Sequence, residues 1–431
     1  MGLFKKSKPP VVFETDYSKY LSRYNNTNSR CHRVLSKHLA IEPECCKHTL
    51  LLGNAEYILP TIKANLCQAQ GSYVIFDKSA ELYEHTHEVL ESRGYRVHLM
   101  TALKYWSPTA PKEYNPFTYI HTAHDVEALV DVLIEAMIPF ITDEKYIPLI
   151  PQTKVCLQLA IECVRQLSAD QQHMQMVFTV MQDVDVHGWH NSQYAEIFKQ
   201  SNPILYQQML DDPVSAQREW FILLYLGLQS IMPIGFRGTE NLFTWDELND
   251  GKTAIFIQLP EEFDGDNAST HQMDVLLWQL SQHHMNTPVL CWIPDCSLPS
   301  TQILNNCIQN NIHCFTCVQE LLCKSHDYKQ AWTDTKCLYD TIVFFGSRNW
   351  ELLDLVAQNP ILQERYDKYL SYLMRLRRNP HIIYEYEILH DYLTLIYPRY
   401  CLVIIGKFPP FIDESLYIDL SAGDCDRMSE N

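Results

Sequence analysis

The chain has 431 residues, 46% of them hydrophobic, and a formal net charge of −18. That apolar content is enough for one large core or two modest ones and excludes a disordered chain. The acidic balance argues against a protein that grips a nucleic-acid backbone unaided, because such proteins gain affinity from a basic face that releases counterions; between Glu240 and Asp274 nine carboxylates meet only Lys252.

In chain order, Met1 to Lys8 is a basic tip without the apolar stretch of a signal peptide, and residues 1–47 are expected to form a polar arm or edge strand. His48 to Gly53 reads as the first core strand. The stretch from Gly71 to Met100 reads as strand, turn, helix, turn, strand: Tyr73-Val74-Ile75-Phe76 is a short apolar run, Leu82, His85 and Val89 recur at helical spacing, and Gly94 closes the helix before Tyr95 to Met100. The two strands are expected to form a βαβ unit with parallel pairing. After a Pro-rich segment from Lys104 to Pro116, Asp125 to Ile138 carries a helical apolar face.

Pro139 to Pro151 marks a boundary, and roughly Thr153 to Ile231 is helical in pattern. Strands are expected to return at Thr253 to Leu259, Val289 to Ile293, Ile312 to Val318, Thr341 to Phe345 and Tyr400 to Ile405, with a helix at Gln272 to Met285 and an acidic, loose end from Asp413. No apolar run reaches the roughly 18 to 20 residues of a bilayer span, the longest candidate being Phe221 to Phe236. The fifteen cysteines sit in apolar runs and read as reduced thiols of a cytoplasmic core.

His283 and His284 read as exposed, and His313, Cys314 and Cys317 as core residues, since positions three apart on a strand face opposite sides. No metal site is expected. Arg375, Arg377 and Arg378 read as a solvated helix end.

The order of an apolar strand, Asp77 with Glu81 four residues on, a helix, Arg93-Gly94-Tyr95-Arg96-Val97, and then Asn115-Pro116-Phe117-Thr118-Tyr119-Ile120 resembles the TraG/TraD-type coupling ATPases of conjugation and type IV secretion. The family's Asp-Pro-Lys-Gly-Glu appears here as Asp77-Lys78-Ser79-Ala80-Glu81, its ends kept and its middle changed. The resemblance implies a RecA-like P-loop NTPase fold of the α/β class with a mostly parallel sheet and an inserted all-α domain. It implies an arm over 1–47, the RecA-like domain over 48–142 and 233–415, the insertion over 143–232, and an acidic tail over 416–431.

A nucleotide-binding member would place Gly-x-x-x-x-Gly-Lys-Ser/Thr after the first strand, where backbone amides cradle phosphates and the lysine reaches the β and γ groups. This chain has Gly53-Asn54-Ala55-Glu56-Tyr57-Ile58-Leu59-Pro60 there. In one register the Gly-Lys-Ser positions fall on Ile58, Leu59 and Pro60, in the other on Glu56, Tyr57 and Ile58; neither supplies the chemistry. Gly251-Lys252-Thr253 precedes a strand and is no substitute.

Two further family positions fall on Asp295, where an Asp-Glu pair would serve magnesium and water, and on Gln319, a γ-phosphate sensor; both read as vestigial. The expected function is a non-catalytic, adaptor-like coupling subunit without ATP or magnesium. Its partners would be proteins, such as a complete coupling ATPase or secretion-channel subunits, in an oligomer or beside one, and its place the cytoplasm or the inner face of the membrane. The alternative is an active translocating ATPase that completes its site in trans.

Overall fold

The computed structural model describes residues 33–37, 39–41, 46–77, 80–101, 114–137, 144–211, 221–225, 228, 241–259, 268–294, 299–318, 338–347, 350–357, 359, 362–365, 367–368, 393, 400–406 and 410–415. The Arg375–Arg378 cluster and the 416–431 tail lie outside them.

The first elements are two short strands, β1 (Arg33–Val34) and β2 (Ala40–Ile41), paired antiparallel as a separate two-stranded sheet. Then come β3 (Thr49–Leu52), α1 (Ala55–Cys67), β4 (Ser72–Asp77), α2 (Glu81–Ser92) and β5 (Arg96–Thr101). A 3-10 turn at Pro116–Tyr119 leads into α3 (Ala123–Met137). The helical block follows with α4 (Ile150–Arg165), α5 (Met174–Asn191), α6 (Ala195–Ser201) and α7 (Pro203–Asp211). Within the expected helical stretch, residues 195–211 form two helices, because Asn202 leaves helical geometry before Pro203, which opens the next helix without its amide.

The chain returns through a 3-10 helix at Trp245–Asp250, closed at its start by a capping box between Thr244 and Glu247, into β6 (Thr253–Gln258). Gly251 stands at φ 73°, the left-handed turn that joins the two. After these come α8 (Ala268–Ser281), β7 (Val289–Ile293), α9 (Thr301–Gln309), β8 (Ile312–Val318), β9 (Thr341–Phe344), α10 (Trp350–Ala357), β10 (Tyr400–Ile405) and β11 (Phe411–Glu414).

Nine strands form one sheet in the order β11-β10-β9-β3-β8-β7-β4-β6-β5. All pairings from β5 to β9 are parallel, and β10 and β11 add an antiparallel edge. This corrects the expected pairing within the Gly71–Met100 unit. β6 lies between β4 and β5, setting Asp77 and Thr101 on either side of Gln258. The AIFI of β6, apolar and buried on both faces, takes the more enclosed place, whereas β5 with Arg96 exposed stands at the edge.

Successive residues of each strand point to opposite sides, and the two cores follow that alternation. Tyr73 and Ile75 pack with Ile58, Ile62 and Leu66 of α1, Leu82 and Leu90 of α2, and Leu35, Leu39 and Ile41 of the first hairpin. Val74 and Phe76 pack on the other side in a cluster that includes α3, α4, α5, α8 and α9. The helical block shares this cluster with the sheet: Cys156, Val177 and Phe198 belong to it with Leu50 and Leu52.

The segment from Tyr146 through Arg165 is long and apolar enough, by length and composition, to cross a membrane. Gln152, Lys154, Gln158 and Glu162 interrupt its apolar run, and ten of its residues are buried in the core from Thr153 to Val164.

The expected loose end at Asp413 is instead the edge strand β11. Asp413 is 1% exposed and accepts a hydrogen bond at 2.5 Å from Ser36 Oγ, while the Lys37 amide donates to Glu414 O at 3.0 Å. The N-terminal hairpin is thus tied to β11 at one end and to α1 at the other, where the Val34 amide donates to Asn65 Oδ1 and Asn65 Nδ2 to Val34 O.

Candidate functional site

In an open α/β sheet the ligand crevice lies outside the carboxyl ends of the strands where the strand order reverses. Here that point is β3. The chain leaves it toward β4 on one side and later crosses from β8, on that same side, to β9 on the other. The turn after β3 is Gly53-Asn54, two residues, and α1 is already helical at Ala55.

Those two residues are committed within the protein. The Gly53 amide donates to Val318 O at 3.0 Å, and the Phe345 amide donates to Leu52 O at 2.8 Å, so the strand pairing runs to the lip of the turn on both sides. Gly53 has φ 134°, and a Cβ there would lie 3.1 Å from Gly346 O. The glycine answers a close approach of protein backbone, as a glycine in a phosphate loop would answer phosphate.

Asn54 caps α1. Its Oδ1 accepts from the Glu56 amide at 3.0 Å, and its carbonyl accepts from the Tyr57 and Ile58 amides at 3.1 and 3.2 Å. The Glu56, Tyr57 and Ile58 amides, donors that a helix N-terminus could offer to an anion, are therefore already bonded within the chain. Glu56 is exposed at this end, Tyr57 half-buried, and Ile58 buried in the core with Ile62. Asn54 before Ala55-Glu56 is a capping signal that the sequence itself carries.

Lys63, the nearest lysine downstream, is not available to this turn. It is 1% exposed and its Nζ donates to Glu81 Oε1 at 2.7 Å. Eight residues into a helix rising about 1.5 Å per residue, it stands roughly 12 Å along α1.

The family-motif residues prove to hold elements together. Asp77 ends β4, is 4% exposed, and its Oδ2 accepts from the Tyr83 amide at 3.1 Å in the first turn of α2. A carboxylate suits that position because the helix start carries the positive end of its dipole. Glu81 opens α2 and takes the Lys63 ammonium, which clamps α1 to α2.

Asn115 joins three segments. Its Oδ1 accepts from the Phe117 amide, its Nδ2 donates to Gln172 O at 2.8 Å between α4 and α5, and its own amide donates to Asn241 Oδ1 at 2.6 Å. Pro116 occupies the first position of the 3-10 turn, and its carbonyl accepts from Gln279 Nε2 of α8 at 3.2 Å. Asn115→Ala is expected to cost about 2 kcal/mol, since it orphans buried partners on two elements; the check is a lower urea midpoint at unchanged m-value.

The remaining candidates divide. Asp295 and Gln319 lie outside the described residues. Cys314 packs in the cluster under α9 and Cys317 in the cluster on the opposite side of the sheet. His313 is 1% exposed, and burial, with the Arg33 charge nearby, pushes its imidazole down to about 3. His48 holds the Cys314 amide on Nδ1 and Leu304 O on Nε2. His284 is exposed, but His283 is not: it is half-buried, edge-on to Tyr119 at 4.7 Å, and burial lowers its pKa. The end of α8 at Ser281 turns His283 inward, a direction that the expected helix to Met285 concealed.

The fold and the turn after β3 define a class: a RecA-like P-loop NTPase fold in which a self-capped two-residue turn stands at the phosphate-loop position. The family model for the type IV secretory system, conjugative DNA transfer, matches residues 59–146, the span from α1 through β4, α2, β5 and the Asn115 motif. The solved structure of the unbound bacterial conjugative coupling protein TrwB superposes with a TM-score of 0.63 at 10% identity, covering 96% of each chain. TrwB with ADP and Mg2+ gives 0.62 at 11% identity over 93% of this chain and 92% of that one, and TrwB with a non-hydrolysable ATP analogue gives 0.64 at 10% over 96% and 97%. No curated protein sequence matches the chain. The chain therefore shares the fold of a conjugative coupling protein, and its residues 59–146 carry the sequence pattern of the conjugative DNA-transfer family model.

Proposed function

We propose that this protein is a non-catalytic member of the TraG/TraD-type coupling-protein family, a subunit that binds other proteins of a secretion or conjugation apparatus and does not turn over nucleotide. One observation carries the reading. The helix N-terminus that would hold phosphates is closed by Asn54, and the preceding Gly53 amide is spent on Val318 O. A phosphate there would have to displace bonds already made, next to Glu56 and without a lysine, because Lys63 is buried against Glu81. The family match opens at Leu59, beyond this turn.

An acidic chain of net charge −18 suits protein partners better than an uncompensated nucleic-acid backbone. Titration of the full chain with MgATP and with MgADP is expected to give no saturable heat up to millimolar nucleotide. A micromolar dissociation constant for either would overturn the reading.

A further inference from the structure

At the opposite end of the sheet from the β3 turn, beside the amino ends of the strands, a cavity of about 280 Å³ opens between the start of α3 and the end of α8. Its lining includes Tyr119, Trp278 and Ala128 together with His121, Asp125 and His283. It is small beside the roughly 300 to 1,000 Å³ of pockets that take drug-sized ligands.

Asp125 supplies the charge. Its Oδ2 accepts from the His121 and Thr122 amides at 2.9 and 2.7 Å, and the Thr122 side chain also bonds the carboxylate. Partial burial pulls this carboxyl upward, but the amide bonds from Thr122 and His121 outweigh it and hold the group below the usual carboxylate range, so it is ionised at neutral pH. His283 is kept neutral by burial, and the Tyr119 phenol is pushed up to about 12, again chiefly by burial. Asp246 adds a second carboxylate 3.9 Å from His283 Nδ1. Two aromatic residues, an ionised carboxylate and an uncharged imidazole form a surround that favours a cation.

We propose that this cavity receives a basic side chain, a guanidinium first of all, from a protein partner. The proposal rests on the protein-binding part of the function proposed above and is independent of whether nucleotide binds. A planar guanidinium can lie against an aromatic face while donating to the Asp125 carboxylate, a geometry that an ammonium reproduces less well. The acidic surface would draw a basic segment toward the cavity, and the aromatic residues would select the head group.

Ligand-observed saturation-transfer NMR on the full chain tests this with Nα-acetyl-arginine amide and its neutral isostere Nα-acetyl-citrulline amide. The expected result is transfer to the arginine probe at least fivefold above that to citrulline. It should fall at least fivefold both in Asp125→Asn, which keeps the cap on the start of α3, and in Ala128→Leu, which fills the cavity; thermal melts establish that each variant is folded. Equal transfer to the two probes overturns the proposal, and so does retention of the arginine signal in either folded variant, which would place the cation elsewhere on the acidic surface. Failure here leaves the MgATP titration untouched, and micromolar nucleotide binding would leave this result untouched.

Discussion

Glu81→Ala is expected to destabilise the protein by about 3 kcal/mol, the largest loss predicted for a single side chain here. Lys63 is 1% exposed at its side chain and Glu81 35%, so the two ends of the pair are not equivalent. Removing the carboxylate strands an ammonium inside the layer between α1 and α2, and an uncompensated buried charge costs roughly 3 to 5 kcal/mol.

Removing the lysine leaves a carboxylate that still reaches water. Lys63→Met, which keeps the stem and drops the charge, is therefore expected to cost less than about 1 kcal/mol. Lys63→Met combined with Glu81→Gln should recover most of what Glu81→Ala loses. Urea unfolding of the three variants checks the ordering, and a loss below about 1 kcal/mol for Glu81→Ala would contradict it.

The second large effect is in acid. His313 is neutral in the fold and pushed down to about 3, chiefly by burial. Between the ordinary imidazole value and that one, the unfolded chain binds a proton that the folded chain refuses. The stability from this residue is complete above about pH 6.5 and is lost as pH falls, at about 1.4 kcal/mol per unit. His48 and His283, also lowered by burial, act in the same direction. Asp274, raised to about 7 by burial and by Glu135, acts in the opposite one, gaining stability as it protonates.

A comparison of variants isolates the single group. His313→Leu has similar volume and removes an Nδ1 that has no hydrogen-bond partner among the described residues. Relative to the parent, it is expected to gain about 2 kcal/mol between pH 6.5 and pH 5. Parallel pH profiles for the two proteins would show that His313 titrates normally.

The strands were legible because each is a short apolar run buried on both faces, and Tyr73 to Phe76, Ala254 to Ile257 and Leu290 to Ile293 need no partner to be recognised. The helices α3 and α4 were legible from their spacing. The first hairpin was harder to read, since two residues per strand carry no periodicity; it exists because Leu35, Leu39 and Ile41 bury against α1 and because Ser36 and Lys37 reach β11, 377 residues away. His283 was misplaced for a similar reason, because its burial comes from Tyr119 on another element.

The candidate site was legible in what it lacks. Neither Glu56, Tyr57 and Ile58 nor, in the other register, Ile58, Leu59 and Pro60 supply glycine, lysine and a hydroxyl, and that is readable from residue type alone. What takes the place of the phosphate loop was not legible, because it is made of long-range backbone bonds from Gly53 to Val318 and from Phe345 to Leu52.

Amino-acid order by itself determined most of the core strands and the long helices and the absence of a Gly-x-x-x-x-Gly-Lys-Ser/Thr pattern after the first core strand, since each depends on residue type within a few positions. Only the tertiary structure decided that β6 separates β4 from β5, that Lys63 serves Glu81, and that Asn115 ties Gln172 in the helical block to Asn241. Those outcomes depend on which distant backbone or charge arrives beside each residue, and local pattern does not encode that.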